Sequence, residues 1–158
     1  MQTFVPHTDY KECARVLDNK RLNKQLLEGR QIIGILTQGK TKGAWVNHPA
    51  VKMWRGSERE LFNYLRAIRD ECSKRGIATE KNWNAILDFV ENATVYGERS
   101  PEWWTDIRVF HSHRQNLFDK DPEYYGQYAY SGPKVTCCDR CNYFWPTHLL
   151  IYNEELVA

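Results

Sequence analysis

One glutamate in the first third of the sequence is surrounded by basic side chains at helical spacing. Glu28 follows Lys24 by four residues and Arg21 by seven, so these three side chains share one face of a helix. Lys20 and Arg30 add positive charge beside it. Such a surface attracts phosphates, and an ionised carboxylate within it can stabilise an oxocarbenium ion or transfer a proton as a glycosidic bond breaks. The alternative is an ordinary solvated face with a weak Lys24–Glu28 ion pair.

The distribution of charge along the chain favours the anion-binding interpretation. Residues 1–76 contain 15 Lys/Arg and 8 Asp/Glu, a net charge of +7, whereas residues 77–158 contain 7 and 12, a net charge of −5. An asymmetry of this size indicates that the first half faces a polyanion. The basic surface is extended by His48, Lys52 and Arg55. Lys52 follows His48 by four residues and Arg55 follows Lys52 by three, so the three side chains share one face of a predicted helix.

Length and composition predict a single domain. The chain has 158 residues, of which 42% are apolar, and it contains no apolar run of the roughly 18 residues that span a bilayer. The first ten residues, "MQTFVPHTDY", lack the basic start and apolar stretch of a signal peptide. We therefore expect a cytoplasmic protein without a membrane partner, whose five cysteines are reduced, buried or bound to metal.

Helical periodicity and capping residues predict a mainly α fold. Asp9 caps a first helix from Tyr10 to about Leu17, and Asp18 or Asn19 caps a second that continues to about Gln38. Three more helices are expected, at residues 49–75, 80–93 and 101–118. The first follows a cap at Asn47 or His48 and ends before Gly76, and the third follows a cap at Ser100. "HLLIYN" is expected to form a short strand. The prediction is thus a compact single-domain helical fold, residues 1–158, with an aromatic and irregular C-terminal segment.

The last third of the chain holds a cluster of cysteines. Cys138 and Cys141 form a C-x-x-C pair, and His148 follows seven residues later, which is half of a zinc-binding pattern. Because a second pair is missing, we expect no metal and no cofactor, with a structural zinc at these three residues as the alternative. Residues 131–158 are then a candidate cysteine-containing appendage.

Four segments of the chain resemble the pyrimidine-dimer DNA glycosylase family, the phage endonuclease V-like enzymes, in its short phage and actinobacterial branch. They are "MQTF.P..D" continuing into "ARVLDNKRLNKQ..E", "HPAVKMWRG", "ECSKRG" and "SHR..LF.KDP.YYG". The resemblance implies a helical fold in which the chain's start packs between helices. It also implies that the substrate is duplex DNA with a pyrimidine dimer or a related modified pyrimidine, flipped out of the helix.

The resemblance further implies a nucleophile and an acid. In the family the α-amine at the start of the mature chain forms an imine with the anomeric carbon, and the imine then permits cleavage of the strand as in an AP lyase. α-Amines suit this role because their pKa is about 7.7–8.0, against about 10.4 for lysine. Glu28 occupies the place of the family's catalytic glutamate. Because Gln2 is bulky, we expect Met1 to be retained and its amine to act; the alternatives are processing that exposes Gln2 or Thr3.

The remaining candidates are contacts to DNA, and the protein is expected to act as a monomer. His111 and Arg114 lie three residues apart and are candidates beside the scissile phosphate, and "YYGQYAY" either stacks on bases or packs over the helices. The full DNA-binding set is Arg21, Lys24, Arg30, His48, Lys52, Arg55, His111, Arg114, Tyr124 and Tyr125. Two other functions stay open: a non-catalytic, DNA-binding viral accessory protein on the same scaffold, and an N-glycosidase acting on another nucleic acid or nucleotide.

Overall fold

The computed structural model of the chain describes residues 1–146, and within that range it contains helices and no β-strand. The elements, in order, are α1 (Tyr10–Val16), α2 (Asn19–Thr37), α3 (Pro49–Lys52), α4 (Glu58–Lys74), α5 (Glu80–Glu91), a 3₁₀ helix (Glu102–Thr105), α6 (Ile107–Lys120), α7 (Pro122–Tyr125) and a second 3₁₀ helix (Gly126–Tyr128). The predicted mainly α fold is confirmed. The strand predicted for "HLLIYN" and the candidate ligand His148 lie outside the described residues.

The first two helices begin where their capping residues predict. Asp9 accepts hydrogen bonds from the amides of Lys11 and Glu12 at the start of α1, and Asp18 accepts one from the amide of Arg21 at the start of α2. These carboxylates satisfy amides that have no partner within their helix. The position of α2, which carries Glu28, therefore follows directly from local sequence.

The single helix predicted for residues 49–75 is wrong, because the chain turns sharply between α3 and α4. Gly56 has φ +79°, a left-handed conformation that ends any helix and that glycine adopts without strain. Glu58 closes the turn by accepting hydrogen bonds from the amides of Gly56 and Gly97, at 2.9 and 2.6 Å. The predicted end at Gly76 is confirmed, with φ +70°.

The helix predicted to start at Pro101 also begins later than expected. Its first turn is a separate 3₁₀ helix, and α6 starts only after Asp106, whose side chain accepts from the amide of Arg108. The cause is the burial of Trp103, whose Nε1 donates to the carbonyl of Met53 at 2.6 Å and whose ring packs edge-on against Trp54. Anchoring this large side chain takes precedence over continuing a regular helix.

The hydrophobic core forms where α2 packs against α4 and α5, and α1 also packs against α4. Gly29 of α2 lies directly against Leu65 of α4, so the two helices approach closely beside Glu28. The apolar positions that predicted α2, Leu22, Leu26, Ile33 and Leu36, are all buried. No helix in residues 1–146 has both the length and the apolar character needed to cross a membrane.

Candidate active site

The first residues of the chain run between the helices, and side chains hold their backbone. Gln25 of α2 accepts a hydrogen bond from the amide of Phe4 at 2.8 Å and donates one to the carbonyl of Gln2 at 3.2 Å. The hydroxyl of Tyr64, on α4, lies 2.9 Å from the carbonyl of Phe4. Trp54 donates from Nε1 to the hydroxyl of Thr3 at 2.8 Å. The start of the chain is thereby fixed in position without belonging to a helix or sheet.

His113 of α6 holds the same segment from the opposite side. Its Nδ1 accepts a hydrogen bond from the amide of Val5 at 2.8 Å, so the proton of the neutral ring resides on Nε2. Nε2 lies 3.3 Å from the side-chain amide of Gln2. Since Nε2–H is a donor, the partner that suits it is the carboxamide oxygen of Gln2. Complete burial lowers the pKa of His113 to about 3, which keeps the ring neutral.

Glu28 meets the start of the chain at the centre of this arrangement. The amide nitrogen of Gln2 donates to Oε2 of Glu28 at 2.6 Å, and Nζ of Lys24 lies 3.3 Å from Oε1. Glu28 is only 8% exposed, whereas the side chain of Lys24 is 65% exposed. The carboxylate therefore points inward to the beginning of the chain, and the lysine forms the outer rim.

His48 lies within electrostatic range of this carboxylate and of the amine of Met1. Nδ1 of His48 accepts from the amide of Ala50 at 3.1 Å, which caps α3 and leaves the ring proton on Nε2. Burial lowers the pKa of His48, the positive amine of Met1 lowers it further, and Glu28 opposes both effects. The pKa of His48 therefore depends on the charges of both Met1 and Glu28.

An aromatic wall, which we define as Tyr143 and Trp145, closes one side of the site. The ring of Tyr143 packs edge-on against His113 at 5.6 Å, and the ring of Trp145 packs edge-on against His48 at 6.3 Å. Burial and then the charge of Glu28 raise the pKa of Tyr143 to about 12, so its hydroxyl stays protonated. Neither residue was a sequence candidate, because the irregular segment that carries them has no periodic pattern.

Two depressions in the surface contain basic side chains. One, of about 320 Å³, is lined by residues that include Met1, Arg30 and Trp45. The other, of about 620 Å³, is lined by residues that include Lys52, Arg55, Arg99 and Trp103. The structure therefore places Arg30 in the depression that Met1 also lines. It places Lys52 and Arg55 together in the second depression, with Arg99, which was not a candidate from sequence, and with the acidic residues Glu102 and Asp106.

Arg21 and Tyr125 belong to a different network. Arg21 forms an ion pair with Asp18 at 2.6 Å, and its guanidinium lies over the ring of Tyr125. The hydroxyl of Tyr125 donates to Asp18 at 2.6 Å, and the residue is completely buried. Burial opposes ionisation of Asp18, but hydrogen bonds from Tyr125 and Arg21 outweigh it and lower the pKa. Because Tyr125 is buried, it has no ring face that could stack on a base, contrary to its predicted contact with DNA. It packs in the core instead.

Three other candidates lie at the margin of the site. Nε of Arg114 donates to the carbonyl of Pro6 at 2.6 Å, so this side chain supports the N-terminal segment. His111 is exposed to solvent on the same helix. Tyr124 is half-buried and packs edge-on against Tyr125. The DNA contacts predicted for these three residues stay predictions.

Sequence analysis missed His113 and Gln25 as parts of the site, although one signal for His113 was present. His113 lies four residues after Val109 and four before Leu117, both fully buried, so helical periodicity places it on the core face of α6. A buried histidine must have hydrogen-bond partners. The spacing does not reveal that those partners are at the chain's start.

Comparison with known proteins identifies one family. The family model described as pyrimidine dimer DNA glycosylase matches residues 1–85 of the chain. This range includes Gln2, Gln25, Glu28 and His48, while His113 and the aromatic wall follow it. No curated protein matches the chain, and no solved structure does.

Proposed function

Because the chain belongs to the pyrimidine dimer DNA glycosylase family, we propose that it removes pyrimidine dimers or related modified pyrimidines from duplex DNA and then cleaves the strand at the abasic site. The family is one of DNA glycosylases, so damaged DNA is the substrate class. The specific lesion and the lyase step are parts of the proposal.

The contact between Gln2 and Glu28 is the observation that carries this proposal. The backbone nitrogen of residue 2 lies 2.6 Å from the carboxylate, inside a segment fixed by Gln25, Tyr64 and His113. A reaction that uses an amine at the chain's start requires that amine to be held near a proton-transferring group, and this contact holds the beginning of the chain against Glu28. The arrangement supports imine chemistry better than simple hydrolysis by water.

In the proposed reaction the lone pair of the amine attacks C1′ of the flipped nucleotide. The bond from C1′ to the base breaks, and its electron pair leaves with the base, which takes up a proton. The C1′–O4′ bond then breaks as nitrogen loses a proton and forms the imine, and O4′ takes up a proton. Loss of a proton from C2′ finally expels the phosphate on C3′. Glu28 is the group that we assign to these proton transfers, with His48 beside it.

We assign the nucleophile to the amine of Met1, with Gln2 as the variant if processing removes Met1. With Met1 attached, the nitrogen at Glu28 is a backbone amide, which does not attack carbon, and the reacting amine is the one that interacts with His48. If Met1 is removed, the nitrogen of Gln2 becomes an amine already 2.6 Å from Glu28. Both versions use the same acid and the same enclosed segment.

The proposed DNA-binding surface consists of basic residues around the site together with one exposed aromatic ring. Trp45 is 53% exposed and packs against His48 at 5.5 Å, which suits stacking on a base beside the flipped nucleotide. The proposed phosphate contacts are Lys24, Arg30, Lys52, Arg55 and Arg99. These contacts supply affinity that does not depend on sequence.

Trapping with borohydride tests the proposal. The full chain is incubated with duplex DNA before and after ultraviolet irradiation, borohydride is added, and covalent adducts are identified by mass spectrometry. We expect an adduct on irradiated DNA only, attached to the first residue of the chain, and intact mass shows whether that residue is Met1 or Gln2. A well-folded protein that gives neither adduct nor strand cleavage overturns the proposal, as does an adduct on a lysine.

Substitution of Glu28 tests the assigned role of the carboxylate. Glu28→Gln keeps the shape of the side chain and removes the base, so strand cleavage should fall at least about a hundredfold while binding to irradiated DNA is retained. Glu123→Gln, at an exposed position of α7, is the matched control and should cleave normally. Equal loss of binding and cleavage in Glu28→Gln would make Glu28 a structural residue.

A non-catalytic DNA-binding protein is the second candidate function. It is favoured by the same contact, since a retained Met1 leaves an unreactive amide at Glu28. In that case intact mass shows Met1, irradiated DNA binds, and no adduct or cleavage appears even at high protein concentration.

A further inference from the structure

Three cysteine side chains converge in the irregular segment that follows the helices. The Sγ atoms of Cys137, Cys138 and Cys141 all lie within 4.8 Å of one another. Sγ of Cys138 is 2.8 Å from Sγ of Cys141, and no disulfide joins them. The candidate ligands from sequence were Cys138, Cys141 and His148, of which His148 lies outside the described residues. The structure adds Cys137 to the two cysteines.

The backbone around these cysteines forms a tight turn. The amide of Cys141 donates to the carbonyl of Cys138 at 3.1 Å, which closes a turn over the two residues between them. The amide of Cys137 donates to the carbonyl of Tyr143 at 3.4 Å, which brings the stretch before the turn beside the stretch after it. A turn between two cysteines separated by two residues is how structural zinc sites present a pair of thiolates.

The spacing of the sulfur atoms suits a tetrahedral metal. Zinc binds thiolate at about 2.3 Å, so two sulfur ligands of one tetrahedron are about 3.8 Å apart. All three sulfur atoms lie within 4.8 Å of one another, a range that includes this value. The 2.8 Å between Cys138 and Cys141 has to widen by about 1 Å when the metal enters between them. Thiolate is a preferred ligand of Zn²⁺, and a closed structural site has four ligands around the metal.

We propose that Cys137, Cys138 and Cys141 bind a structural Zn²⁺ ion, with a fourth ligand from outside this group. The three thiols lose their protons as the metal binds, and the Zn–S bonds hold the turn together. No redox step is involved. The site is separate from Glu28 and stands whether or not the chain is a glycosylase.

The zinc turn positions the aromatic wall. Immediately after Cys141, the carbonyl of Asn142 accepts a hydrogen bond from Asn116 of α6 at 2.8 Å, and the amide of Phe144 donates to Ser112 of α6 at 2.7 Å. Tyr143 and Trp145, which flank Phe144, contact His113 and His48. This stretch has no regular secondary structure to stabilise it, so a metal cross-link supplies the constraint that helices supply elsewhere.

Metal analysis of the full chain, purified without chelator, tests this inference. We expect one zinc ion per chain in the unmodified protein and none in the double variant Cys138→Ser, Cys141→Ser. Cys72→Ala, which changes a cysteine buried in α4, is the matched control and should retain the metal. Replacing zinc by cobalt should give the visible bands of a tetrahedral ion and an ultraviolet charge-transfer band from thiolate, and both should be absent in the double variant.

A second readout is independent of the variants' folding. Chelation of the unmodified protein should lower its melting temperature, and added zinc should restore it, whereas the double variant should respond to neither treatment. Zinc content near zero with no cobalt–thiolate band overturns the inference. So does zinc that persists in the double variant, or a disulfide between Cys138 and Cys141 in protein purified under reducing conditions.

Discussion

Two buried side chains, Gln25 and His113, hold the start of the chain through its backbone. Their partners, the amides of Phe4 and Val5, lie 21 and 108 residues away along the sequence. Spacing and family resemblance were enough to select Glu28, because a solitary acid among cations is a local pattern. Hydrogen bonds to a distant backbone leave no local pattern, so neither Gln25 nor His113 could be assigned this role from sequence.

The buried imidazole of His113 predicts a specific dependence of stability on pH. Its pKa is lowered to about 3 in the folded state by burial, whereas the unfolded chain has the ordinary value of 6.5. Between these values the unfolded state binds more protons, so the free energy of unfolding falls as pH drops below about 6.5 and stops falling for this reason near pH 3. The loss is on the order of 5 kcal/mol, since a difference of one in pKa corresponds to about 1.4 kcal/mol.

Replacement of His113 by asparagine isolates this contribution. In His113→Asn the new carboxamide oxygen can accept the hydrogen bond of the Val5 amide, as Nδ1 of the imidazole does, but it does not titrate. The variant is expected to be less stable at pH 7, because the smaller side chain leaves space in the core. Denaturant unfolding at several pH values should show a shallower decline from pH 6.5 to pH 4 than in the unmodified protein. If the free energy of unfolding declined in parallel in the two proteins, the ring of His113 would be protonated in the folded state.

At the scale of elements, cap residues and periodicity predicted α1 and α2 accurately, while α4 and α6 began later than expected. The failures have one cause: tertiary contacts decide where these helices start. Glu58 reaches the amide of Gly97, and Trp103 reaches the carbonyl of Met53. Partners 39 and 50 residues away cannot be read from a capping pattern.

The close approach of α2 and α4 at Gly29 yields a second test. A Cβ added at Gly29 would overlap Leu65 of α4, so Gly29→Ala should overpack the core and lower the free energy of unfolding by about 1–3 kcal/mol. Gly126→Ala is the matched control, because that position has helical φ and ψ and open space around it. Its stability should change by less than about 0.5 kcal/mol in denaturant unfolding. Equal changes in the free energy of unfolding for Gly29→Ala and Gly126→Ala would show that Leu65 moves aside without cost.

At the scale of the whole molecule, the basic half of the chain should give DNA binding a marked salt dependence. Lys52→Gln, in the depression that Arg55 and Arg99 also line, is expected to weaken binding to duplexes of any sequence and to lower the slope of log affinity against log salt by about one. Lys120→Gln, an exposed residue at the end of α6, is the control and should leave the slope unchanged. Fluorescence anisotropy at several salt concentrations measures both. Identical slopes in all three proteins would remove Lys52 from the interface.

The enclosure of the N-terminal segment ties the reaction centre to the completion of folding. Residues 2–6 are held by hydrogen bonds with Gln25, Trp54, Tyr64, His113 and Arg114, which are spread over most of the sequence. Because these contacts join remote parts of the sequence, we expect the leading residues to dock only after α2, α4 and α6 have assembled. On the proposed function, an incompletely assembled intermediate lacks the arrangement around Glu28, so we expect a nascent or damaged copy of this protein to be unable to nick DNA.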